Sequence, residues 1–90
     1  MPVERLVNTI GKQIFMEHYE DFRDLSMNEM QDLLEREKGY ARGGTARRYG
    51  AAQQLFRDTD DLREAMRIIA NANIPTKARQ KARRILDELE

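Results

Sequence analysis

The sequence predicts an all-α fold, a compact bundle of four to five helices with a long N-terminal helix followed by shorter ones. Three observations lead there: apolar residues recur at steps of three and four along most of the chain, helix-capping residues stand at the junctions, and no segment reads as a strand. Residues 1–90 are taken as a single helical domain. A domain this small buries only about 60% of the surface its unfolded chain exposes, so the core must be thin. Without cysteine there is no disulfide framework, and stability has to come from packing or from self-association.

The first helix is read from Val3, Leu6, Val7, Ile10, Ile14, Phe15, Tyr19, Phe22 and Leu25, which follow one amphipathic face. Ser26 and Glu29 then have the spacing of a capping box, which starts a second helix at Met27. Met30, Leu33 and Leu34 give that helix its apolar stripe, and Gly39 suits a left-handed residue that would stop it near Lys38. From Gly39 to Gly44 three glycines in six residues and no periodicity predict a loop, with Thr45 as the cap of the next helix. This third helix runs from Ala46 to Arg57, with Tyr49, Ala52, Leu55 and Phe56 inward and Arg47, Gly50, Gln54 and Arg57 outward. Asp58 to Asp61 supply a cap and N-terminal acids for a fourth helix, whose core residues are Leu62, Ala65, Met66, Ile69 and Ala70. Pro75 and a capping Thr76 restart the chain in a fifth helix carrying Ala78, Ala82, Ile85, Leu86 and Leu89.

The apolar runs are far shorter than the roughly 20 residues that span a bilayer, and the start lacks a signal-peptide apolar segment. The expectation is a cytoplasmic protein with no membrane partner. Positive and negative charges balance overall, but not along the chain. Met1 to Lys38 carries nine acids and five bases, a net −4, whereas Gly39 to Glu90 carries eleven bases and seven acids, a net +4. Such asymmetry means either that one half meets an external partner of opposite charge, or that the halves face each other within or between chains.

Catalysis is not expected. A nucleophile needs an adjacent base and a group to orient it, and the chain has one histidine, one serine and no cysteine. Ser26 already serves as a cap. His18 falls between Ile14 and Phe22 on the first helix, where a structural role is expected, its ring nitrogens bonded to backbone or a carboxylate. Metal binding is not expected either: several His or Cys ligands are missing, and Asp58 to Asp61 lacks the central glycine and late glutamate of a calcium loop. No cofactor is implied.

What remains is anion recognition. Gly43 and Gly44 would let an anion approach the N–H groups at a helix start, with Arg42, Arg47 and Arg48 supplying full charges. This is not a nucleotide-binding P-loop, since no lysine follows the glycines and no strand precedes them. Helices two and three resemble in outline a DNA-binding helix-turn-helix, which would offer Arg47, Gly50, Ala51, Gln54 and Arg57 to the major groove. A connection of about six residues argues against it, because the usual turn has three or four. In the fifth helix Lys77, Lys81 and Arg84 form one basic row and Arg79 with Arg83 another, flanking the apolar stripe. A phosphate-tracking surface built with Arg42, Arg47 and Arg48 would require these segments to converge. Met16, Met27 and Met30 could line a groove for a partner helix, although core filling is the commoner use of methionine. The sequence therefore yields two expectations. The first is a non-catalytic binding module whose basic C-terminal half engages an acidic partner, nucleic acid foremost or an acidic protein. The alternative is a protein-interaction or self-assembly domain, a homo-oligomer pairing acidic and basic halves around an exposed apolar seam.

Overall fold

The computed structural model of the chain describes residues 2–90 and contains seven α-helices among them: α1 (Val3–Ile10), α2 (Lys12–Glu17), α3 (Tyr19–Asp24), α4 (Met27–Lys38), α5 (Arg42–Arg57), α6 (Thr59–Ala70) and α7 (Thr76–Leu89). The all-α class holds, but the helix count exceeds the expected four to five because the single long first helix does not exist. A straight helix from Val3 to Leu25 would be about 34 Å long. The whole body measures only 32 × 26 × 21 Å, so the stripe must fold back to bury its residues in one core.

It folds at two points. Gly11 adopts φ 93°, a region that disfavours any side chain, and ends α1 with its own N–H donating to the Val7 carbonyl. His18 leaves helical geometry between α2 and α3. The apolar positions read from the sequence nonetheless reach the interior: Val3, Leu6, Val7, Ile10, Ile14, Phe15, Tyr19 and Phe22 are all buried. Phe15 sits among three aromatic rings, those of Tyr19, Phe22 and Phe56, at centroid distances of 5.7, 5.8 and 5.9 Å. These are edge-on and tilted arrangements, the favourable ones for aromatic pairs.

The middle of the chain follows its local signals more closely. The capping box forms, with Ser26 Oγ accepting from the Glu29 N–H at 3.3 Å and the Ser26 N–H donating to Glu29 Oε1 at 2.9 Å. Gly39 closes α4 in the left-handed conformation with its N–H donating to the Glu35 carbonyl, the bond of an αL cap, and the Tyr40 N–H donates back to the Leu34 carbonyl. Asp58 caps α6 by accepting from the N–H groups of Asp60 and Asp61. The cap expected of Thr76 is absent: it is the first residue of α7, Pro75 holds the N-cap position, and its hydroxyl accepts from Arg79 instead.

One segment departs from expectation with consequences for function. The predicted six-residue loop is only three residues, Gly39 to Ala41, and Gly43, Gly44 and Thr45 all lie inside α5. Thr45 caps nothing, its side chain being fully buried with no hydrogen-bond partner for the hydroxyl. Tertiary contacts override the low helix propensity of the glycines. Gln31 Nε2 donates to the Arg42 carbonyl at 3.0 Å and Arg42 pairs with Asp32 at 2.8 Å, which fastens the first turn of α5 to α4.

The sixteen-residue α5 is the hub, packing on α1, α4, α6 and α3, while α7 packs on α6 and α2. Ala65 and Ala70 of α6 and Ala82 of α7 are all buried, and α6 packs more extensively on α7 than on any other helix. At the chain's end Arg63 Nε donates to the Leu89 carbonyl, where α7's last carbonyls lack partners along the helix.

Candidate nucleic-acid interface

The inner face of α5 completes what the broken first segment leaves open. A helix end leaves carbonyls without intrahelical partners, and three such groups accept from α5 side chains. Arg48 Nη1 donates to the Ile10 carbonyl at 2.6 Å, Tyr49 Oη to the Leu25 carbonyl at 2.8 Å, and Gln53 Nε2 to the Phe22 carbonyl at 2.8 Å. The Arg48 guanidinium also lies 4.7 Å above the Tyr40 ring. Its charge at the C-terminus of α1 complements the helix dipole. Sequence reasoning placed Arg48 with the anion-binding arginines and missed its capping role. The signal was Gly11, a glycine inside an apolar helical pattern, which creates the carbonyl that needs a donor.

Arg42 is also engaged: besides Asp32 it donates to Gln31 Oε1 at 3.2 Å, and the hydrogen bond from its guanidinium to Asp32 raises its pKa further above the ordinary arginine value. The α5 N-terminus has no side-chain cap, and the Asp32 carboxylate already holds the Arg42 guanidinium, so the cation expected to serve an anion at Gly43 and Gly44 carries a built-in competitor.

The outer face of α5 is different. Gly43, Arg47, Gly50, Gln54 and Arg57 are exposed and follow steps of four and three, forming one stripe along the helix. Neither Arg47 nor Arg57 has an ion-pair partner among the described residues. A Cβ built on Gly43, Gly44 or Gly50 would meet nothing within 4 Å, and none of the three has positive φ. Neither backbone geometry nor internal packing requires them, yet Gly50, in the helix interior, costs about 0.8–1.0 kcal/mol of helix propensity relative to alanine. Ala51, which the sequence placed on this stripe, is buried instead.

The second basic group lies elsewhere. Lys77, Lys81 and Arg84 line one wall of a cleft of about 530 Å³ between α7 and α2, whose other wall is Gln13, Met16 and Glu17. Lys81 reaches Glu20 at 2.8 Å, tying α7 to α3. Because α7 packs on α6 and α2 and is not among the main partners of α5, the two basic rows form separate surfaces rather than the joint one considered from sequence.

The remaining sequence candidates lie elsewhere in the fold. His18 Nδ1 lies 2.9 Å from Asp21 Oδ2 at the start of α3, the carboxylate contact expected of it. Among the described residues no group of three or more His, Cys, Asp or Glu could hold a metal ion. Met16 and Met30 fill the core, leaving Met27, 44% exposed, as the one exposed large hydrophobic side chain among the described residues. Among the described residues no helix is long and apolar enough to cross a membrane. No protein-family model matches this chain, and neither a curated protein nor a solved structure matches it.

Proposed function

We propose that the chain is a non-catalytic, duplex-DNA-binding module in which α4 and α5 act as a helix-turn-helix and the outer stripe of α5 enters the major groove. The observation that carries this reading is that stripe: two unpaired arginines and a glutamine on a face kept clear of side chains by glycines that the fold does not need. Arginine can bond guanine and glutamine adenine at their major-groove edges. The connection of three residues beginning at a left-handed Gly39 has the length of the usual turn, which removes the objection raised from sequence.

A duplex fits this surface better than a single strand. Binding of unpaired bases relies on exposed aromatic platforms. Here Tyr40 lies under Arg48, Tyr49 is bonded to Leu25, and Phe56 packs on Phe15 and Tyr19. The self-assembly alternative needs an exposed apolar seam, for which Met27 alone offers little.

Fluorescence anisotropy with labelled duplex DNA and single-stranded RNA, at several salt concentrations, tests the proposal. Duplex affinity should fall linearly in log salt. Arg47→Gln with Arg57→Gln should weaken it at least about ten-fold and lower the salt slope by about one for each phosphate that is no longer neutralised. Absence of duplex binding at low salt, or an unchanged double variant that is still folded, refutes it.

A further inference from the structure

We propose that the cleft between α2 and α7 is a second binding site, one that takes an acidic segment of a partner protein with two carboxylates flanking an apolar side chain. Lys77 and Arg84 stand at its rim, both exposed and neither in an ion pair among the described residues. They are seven positions apart on α7, which separates them by about 10 Å along the helix axis. Two acids at that spacing engage both without drawing the two side chains together. The matching ligand carries two acids about 10 Å apart, which is three residues of polyproline-II chain, where positions three apart share a side, or two turns of helix.

Between these charges the cleft is not basic. Lys81 is neutralised by Glu20, and Glu17 on the opposite wall is held by Lys38 at 3.1 Å. Met16, buried beneath the cleft, Ala78 and Pro75 contribute apolar lining, so the site accepts an apolar side chain beside its charges, with the methionine able to adjust its shape. Two free cations beside an apolar lining match an acidic peptide. A nucleic-acid strand would instead set further phosphates between the two cations, where Lys81 is already engaged by Glu20 and no free cation meets them. The site shares no residue with the α5 stripe, so it stands whether or not that surface binds DNA.

The test is a random display library of short linear peptides, selected on the whole chain and counter-selected on a Lys77→Glu, Arg84→Glu variant. Both positions are exposed, and thermal melts establish that the variant folds. Surviving peptides should be enriched in two acids spaced three apart, or seven apart in helix-forming sequences, around an apolar residue. Synthetic copies should bind the variant, and its neutral counterpart Lys77→Gln, Arg84→Gln, about ten-fold or more weakly, and bind an Arg47→Gln, Arg57→Gln variant as they bind the parent. No peptide surviving counter-selection, or survivors without acidic enrichment, overturns the proposal. So does duplex-DNA affinity that drops with the α7 variants as far as with the α5 variant, which would assign the cleft to nucleic acid.

Discussion

Replacing Gly50 with alanine separates a glycine kept for the fold from one kept for a partner. Gly50 is mid-helix, exposed, of ordinary negative φ, and a Cβ there meets nothing within 4 Å. The substitution should therefore recover the full propensity difference, about 1 kcal/mol, part of it by restricting the unfolded chain. In a domain of this size that raises the melting temperature by about 4–8 °C. The added methyl projects between Arg47 and Gln54, from the stripe proposed to lie against base edges, and holds the helix away from the groove. Duplex affinity should fall by about ten-fold, equivalent to about 1.4 kcal/mol. Circular-dichroism melts and anisotropy titrations on the same preparation read both quantities. A lowered melting temperature would mean the fold needs this glycine after all. A raised one with affinity within about two-fold of the parent would mean nothing approaches this face closely, and the groove-reading proposal would fail with it.

Three further outcomes rest on the interior and the ion pairs. Thr45→Val removes a buried hydroxyl with no partner while keeping the side-chain shape, and should stabilise by about 1 kcal/mol, read as a higher urea midpoint at unchanged slope; a loss of stability would reveal a bond to the hydroxyl. Arg48→Met should cost about 1.5–3 kcal/mol, because the Ile10 carbonyl loses a charged donor; a change below about 0.5 kcal/mol would show that α1 does not depend on this cap. Acidification should destabilise the protein. Glu17 is held below the ordinary glutamate value by the hydrogen bond from Lys38, and Glu29 by the Ser26 backbone N–H. Burial pushes Glu20 upward, but the hydrogen bond from Lys81, a backbone bond and nearby positive charges outweigh it, leaving its value lowered too. Since these groups bind protons more weakly folded than unfolded, their contribution is present above the ordinary glutamate range and lost as pH falls through it toward the lowered values. A urea midpoint that holds steady or rises on acidification contradicts this.

The core was legible in the sequence because burial follows periodicity, and periodicity survives helix breaks. Every apolar position read from Val3 to Phe22 is buried even though the helix assumed to carry them is three helices. The breaks were not legible in the same way, since Gly11 costs a continuous helix only about 1 kcal/mol and the decision rests on the size of the core it must wrap. The start of α5 was hidden for the complementary reason. Local propensity places a loop at Gly43 and Gly44, and the contacts that override it, Gln31 to the Arg42 carbonyl and Arg42 to Asp32, join residues ten or eleven positions apart. Caps set by near neighbours, at Ser26, Gly39 and Asp58, were read correctly.

Arg47 and Arg48 illustrate why the site was only half visible. Adjacent residues on a helix point about 100° apart, so two arginines that look equivalent in sequence face opposite tasks. Arg48 turns inward to the end of α1 and Arg47 outward to solvent. A charge reversal of the pair, the natural test from sequence, would break the α1 cap and clear the outer stripe at once, and weaker binding would then report unfolding as readily as a damaged DNA surface. Pairing Arg47 with Arg57 instead confines the perturbation to the outer stripe, where neither guanidinium has an internal ion pair to lose. The ratio of binding loss to stability loss then becomes the measure of function: large for Arg47 and Arg57, and small for Arg48.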